Sequence, residues 1–282
     1  MDIYEKVSEI KKKGQDLVIV TVTDKEGMGP ADIGKKMIVT DKGEHFGTIG
    51  GGSIELYAIN RCKDVIASRQ SLSEKYVLSD ESVKVEESEV KLNMACGGKA
   101  TLFYEFVGPK QYVYIFGAGH CGKALSISLH NLGYFVTVID PRAEVLSEID
   151  KAVDKQILCN FETFINKNNI KENSFVVVGT PSHEHDFAVL DKIISEHINP
   201  KYFGMLCSKK KIAEYLSLLE KKYGKSLDLS NLYSPIGLDI GGVSPEEIAV
   251  SIASEIQSVY YNKKEVSHMR NNSLELMKYI KK

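Results

Sequence analysis

The pattern Gly117-Ala118-Gly119-His120-Cys121-Gly122 follows the apolar run YVYIF and opens the helix-like stretch CGKALSISLHNLG, after which the apolar run YFVTVID ends in Asp140. A G-x-G-x-x-G string alone is a weak signal. Between a strand and a helix, with an acidic residue eighteen positions after the last glycine (140 − 122), it constrains the segment to the first β-α-β unit of a Rossmann-type dinucleotide-binding domain. In that reading Gly117 permits the tight turn, Gly119 lets the backbone approach a phosphate, and Gly122 lets helix and strand pack closely. The helix start offers unpaired N–H groups and partial positive charge to the phosphates. Asp140 is expected to accept from a ribose diol and to repel a 2′-phosphate. The plain alternative is that the glycines close a βα turn and Asp140 caps a strand end.

The rhythm of the chain changes near Gly108-Pro109-Lys110, a plausible junction. After it, strands at YVYIF, YFVTVID, QILC, SFVVVGT and YFGMLC alternate with helices, including ones near 161–168, 184–197 and 208–223. Such alternation predicts a parallel sheet covered on both faces and a doubly wound α/β fold. Ser244, Pro245 and Glu247 form a capping-box signature for a last helix running to about Tyr261. Before the junction the pattern is mixed: a helix over 2–13, a strand over 16–24, a hairpin around Asp41-Lys42-Gly43, a helix from near Ser53, and strands at KYVLS and KATLFYEFV. The acidic stretch 80–90 reads as a mobile loop or exposed edge. The expected organisation is a smaller α+β domain over 1–108, a Rossmann-type domain over 109–261 and a polar tail over 262–282.

Charge excludes some partners. The 282 residues hold 36 basic and 38 acidic side chains, a formal net charge of −2, so nothing calls for nucleic acid or an anionic membrane. No apolar run approaches the ~18 residues that span a bilayer. Five widely spaced cysteines (62, 96, 121, 159 and 207) contain no Cys-x-x-Cys pair, which argues against a zinc ribbon or disulfide framework and fits a reducing compartment. The expectation is a soluble cytoplasmic protein.

Further candidates lie outside the glycine loop. Thr180, His183 and Asp186 follow the strand SFVVVGT, at the carboxyl edge where such sheets bind ligands; they face a ligand or merely cap a helix with Ser182. Gly50-Gly51-Gly52 opens a helix and suits a phosphate. Glu55 is either a carboxylate favoured by the helix dipole or a cofactor contact.

Several segments together, GMGPADIGKKM at 27–37, HFGTIGGGSIE at 45–55, MACGG at 94–98, FGAGHCG, TPSHEHD, and SPIGLDIGGVSPEEIAVSIASEI at 234–256, resemble the xanthine dehydrogenase accessory factor (XdhC/CoxI) family over about residues 10 to 260. The resemblance implies an N-terminal domain followed by a Rossmann domain, and a role in maturing molybdenum hydroxylases. It implies binding of the molybdenum cofactor (molybdopterin) for delivery to a hydroxylase apoenzyme, with a cysteine desulfurase as sulfur donor; a homodimer stays open. This reading favours a non-catalytic maturation factor. Its rivals are an NAD-dependent oxidoreductase and a nucleotide-sensing module, with NAD or another dinucleotide as ligand. A sulfur-bearing metal suits a thiolate. Cys96, followed by Gly97-Gly98 and so expected on an accessible turn, is the candidate cofactor and metal contact, more reactive than Cys62 or Cys159, with Lys99 near enough in sequence to lower its pKa; the alternative is a small buried hydrophobe. Two departures stand out: Met28 and Ala31 replace the family's usual Ser and Arg, and Cys207 stands where glycine is common.

Overall fold

The computed structural model describes residues 2–27, 32–79, 86–87, 89–93, 97–149, 153–166, 169–224 and 227–267. The chain divides into two compact units, Met1–Gln111 and Tyr112–Lys282.

The first unit contains helix α1 (Ile3–Lys12), strands β1 (Leu17–Glu26), β2 (Lys36–Thr40) and β3 (His45–Gly47), helix α2 (Gly52–Ser68), and strands β4 (Leu72–Leu78), β5 (Glu89–Leu92) and β6 (Gly98–Val107). They form one six-stranded sheet in the order β3-β2-β1-β6-β4-β5. Only the β4–β5 pairing is parallel. Strand alternation sends the side chains of β1 to opposite faces. Val18, Val20 and Val22 pack with Ile54, Ala58, Cys62 and Val65 of α2, whereas Leu17 and Ile19 pack with Ile10 of α1. The acidic stretch contributes the edge strand β5; its residues 80–85 and 88 lie outside the described residues.

The second unit contains strand β7 (Tyr112–Phe116), helix α3 (His120–Asn131), strand β8 (Phe135–Asp140), helix α4 (Ala143–Ser147), strand β9 (Lys155–Leu158), helix α5 (Phe161–Phe164), strand β10 (Phe175–Val178), helix α6 (His183–Ser195), strand β11 (Tyr202–Met205), helix α7 (Lys209–Tyr223), strand β12 (Leu232–Tyr233) and helix α8 (Pro245–Tyr260). Every strand pairing is parallel, in the order β12-β11-β10-β7-β8-β9. Counted from β7, this is the 6-5-4-1-2-3 order of a Rossmann sheet, with the reversal between β7 and β10. Of the runs read as strands, β7, β8, β10 and β11 are buried on both faces, as a covered parallel sheet requires, whereas the edge strand β9 is mostly exposed. On one face Leu125 and Leu129 of α3 and Ala249, Ile252, Ala253 and Ile256 of α8 meet Val113, Ile115, Val136 and Val138. On the other, Phe161, Val189, Leu190, Ile193, Ile212 and Leu219 meet Tyr114, Phe116, Val176 and Val178. Fully buried aliphatic side chains such as Ile256 and Leu219 each contribute about 1.5–3 kcal/mol.

Three local readings need correction. The helix expected over 161–168 spans only Phe161–Phe164. The amides of Asn166 and Asn169 compete for its end: Asn169 Nδ2 donates to the Phe164 carbonyl at 2.8 Å, and Ile165 leaves the helix in an extended conformation. Helix α4 and strand β12 have no counterpart in the sequence pattern; five and two residues are too short to carry a period. The capping box of α8 is present as expected, with Glu247 accepting from the Ser244 and Val243 amides at 2.9 Å.

Candidate ligand site

The reversal point is built backbone against backbone. Gly117 has φ +115°, and a Cβ there would overlap the Gly179 carbonyl oxygen at the end of β10. A Cβ on Gly122 would overlap the Gly117 carbonyl oxygen. Gly119 differs: no described atom lies within 4 Å of a Cβ built on it. Two glycines are therefore demanded by packing, and the third faces open space at the start of α3. Gly119 is the N-cap of α3 and supplies no side-chain cap, whereas Ser182, Ser208 and Ser244 cap α6, α7 and α8. His120 is exposed in the first turn, and Cys121 is half-buried.

Asp140 is fully buried, and both its oxygens are taken. Oδ1 accepts from Arg142 N at 3.0 Å and Arg142 Nε at 2.8 Å; Oδ2 accepts from Arg142 Nη2 at 2.7 Å and from the Ala118 amide at 2.8 Å. Burial pushes this carboxyl up, but the Arg142 side chain and the two amides outweigh it, and the net displacement is below the usual carboxylate range. The role expected of Asp140, receiving a ribose diol, does not fit a carboxylate already engaged in this way. Sequence reasoning misses Arg142, two residues further on; the signal available is a cation immediately past a strand-ending Asp.

Thr180, His183 and Asp186 gather at the end of β10, where Asp186 is buried. Its Oδ1 accepts from Thr180 Oγ1 at 2.6 Å and from the Thr180 amide at 3.0 Å. Burial raises the Asp186 carboxyl against those two bonds. His183 is exposed, its Nδ1 3.8 Å from Asp186 Oδ2. Asp186 thus holds the loop after β10 in shape. Nearby, Cys207 Sγ lies 3.1 Å from Ser234 Oγ, and burial pushes this half-buried thiol up.

In the first unit, Gly50, Gly51 and Gly52 all have positive φ and lead into α2 as expected. Their loop already holds an anion. Glu55 Oε2 accepts from Thr48 Oγ1 at 2.5 Å, Gly51 N at 3.0 Å and Ile49 N at 3.1 Å. Burial opposes its ionisation, but these donors together hold it below the usual range. Of the two readings left open for Glu55, the geometry gives the local carboxylate. Glu55→Ala is expected to cost about 1–2 kcal/mol and to speed hydrogen exchange at Ile49 and Gly51; unchanged exchange at both would contradict this role. Cys96, and the departures at Met28 and Ala31, lie outside the described residues. Lys99 pairs with Glu89 at 2.8 Å. Cys62 is buried in the α2 core, its thiol pushed up to about 12. Among the described residues, no group of three or more His, Cys, Asp or Glu could hold a metal ion, and no helix is long and apolar enough to cross a membrane.

Sheet order, glycine loop and open helix start define the second unit as a Rossmann-type domain. A family model described as the XdhC Rossmann domain matches residues 113–256, and one described as the XdhC and CoxI family matches residues 10–77. The chain belongs to the XdhC and CoxI family. Similar proteins include an uncharacterized protein, YqeB, of Escherichia coli, 26% identical over 93% of this chain and 47% of that protein. Another is a probable xanthine dehydrogenase component from Bacillus subtilis, 31% identical over 55% of this chain and 44% of that one. The chain spans about half the length of these curated relatives. A crystal structure described as a xanthine dehydrogenase from Bacillus halodurans aligns with TM-score 0.49 at 20% identity, over 95% of this chain and 98% of that chain.

Proposed function

We propose that the chain is a maturation factor for a molybdenum hydroxylase of the xanthine dehydrogenase type, with the crevice beside Gly119 holding the molybdenum cofactor as cargo. Family membership and the xanthine dehydrogenase-named relative support the hydroxylase as partner. The observation that carries the cargo reading is the open space at Gly119: the neighbouring glycines are consumed by packing, so the remaining one fits a phosphate at the amides of α3. Molybdopterin carries such a phosphate. Its metal end suits a thiolate. Cys207 is a half-buried thiol at the carboxyl edge of the parallel sheet; Cys96 remains a thiolate candidate from the sequence alone. A cysteine desulfurase as sulfur donor belongs to the same proposal. The engagement of Asp186 with Thr180 favours a carrier over a dehydrogenase, because that carboxylate is committed to the loop.

The test is anaerobic titration of the purified chain with molybdopterin, paired with transfer to a hydroxylase apoenzyme. Gly119→Val is expected to weaken binding by more than about tenfold while leaving the unfolding midpoint in place, since the new side chain enters open space. Unchanged affinity, or no molybdopterin binding by the unaltered chain, would overturn the reading.

A further inference from the structure

The end of β8 has a composition the proposed cargo does not explain. In a Rossmann sheet the glycine loop takes the bridging phosphates, and the end of the second strand takes the ribose and base of a nucleotide. Here that position holds a carboxylate and a guanidinium locked together by two side-chain bonds, at 2.8 and 2.7 Å. The pair is neutral, so Asp140 no longer repels a phosphate on the ribose. The guanidinium is also not exhausted. Its Nη1 has no acceptor among the described residues, and the side chain remains 36% exposed. A fork held in one orientation by a buried carboxylate loses little freedom when it binds a second anion. Beside it, Leu158 pairs with Asp140 across the β8–β9 ladder and is 60% exposed, an apolar surface at the strand end where a base would lie.

We propose that Arg142 reads the ligand at this edge, with Asp140 as its positioning residue, and that the pair selects an adenine dinucleotide bearing a ribose 2′-phosphate over the diol form. Arg142 meets the phosphate in a charge-assisted contact, and Leu158 covers one face of the adenine. Glu144, exposed in the first turn of α4, is the nearby charge that opposes the phosphate. The inference rests on the reading of the crevice as a ligand site.

The experiment is calorimetric titration of the full chain with NADP+ and NAD+ separately, with molybdopterin as a third arm. NADP+ is expected to bind more than about tenfold tighter than NAD+. Arg142→Lys, which keeps the charge and loses the fork, should reduce that ratio several-fold, and Glu144→Gln should raise it. The ratio reports ligand reading, because a change of stability alone would move both affinities together. Equal binding, or a preference for NAD+, overturns the assignment of Arg142. If neither dinucleotide binds, the inference also fails. In either case the molybdopterin arm decides separately whether the crevice still serves as the cargo site.

Discussion

Gly117→Ala is expected to destabilise the second unit by about 3–5 kcal/mol, the combined size of a strained backbone conformation and an overpacked contact. The residue sits at φ +115°, where a side chain is strained in any surroundings. Its added carbon would overlap the Gly179 carbonyl oxygen, which cannot easily retreat: the Gly179 amide donates to the Phe116 carbonyl at 2.9 Å, so both backbones are tied. Denaturant unfolding of the variant should show a large drop in midpoint, whereas Gly119→Ala, facing open space, should unfold with the unaltered chain. Equal stabilities for the two alanine variants would mean that the β7–β10 contact is not the constraint described.

Asp140→Ala should cost about 3 kcal/mol, the lower end of what breaking a buried ion pair costs, because Arg142 is partly solvated. The loss has two parts: a guanidinium without its partner, and an Ala118 amide that no longer has its acceptor in the glycine loop. The pH dependence follows from the direction of the displacement. The folded carboxyl lies below its ordinary range, so its contribution is complete above the unfolded value of about 3.9 and is lost as pH falls through the folded one. Acid unfolding below about pH 4 should therefore be steeper in the unaltered chain than in Asp140→Asn, where there is no carboxyl to protonate. Parallel acid profiles would remove Asp140 from the account.

Much of the second unit is legible in the sequence because its signals are periodic or local. The strand Phe175–Val178 is an unbroken apolar run and Phe135–Asp140 a largely apolar one, patterns that suit a doubly covered sheet, and Ser244 with Glu247 encodes a helix start within four residues. The glycine loop is legible as a fold element for the same reason. Its ligand chemistry is not. Whether Asp140 is available depends on a side chain two positions away folding back across a turn, and no period records that. Glu55 likewise caps a loop four to seven residues before it, where sequence leaves a local anion and an incoming one indistinguishable. Helix α5 stops short of its apolar pattern because two asparagine amides outbid that pattern beyond Phe164.

The tie between the Gly117 turn and the Gly179 backbone has a kinetic meaning. A crevice floor fixed by main chain on both sides has no ordering step to complete before a ligand seats. Encounter is then governed by diffusion and orientation, and differences between competing ligands fall in their residence times. Side chains at the crevice rim, such as Arg142 and Leu158, would then set how long a ligand stays.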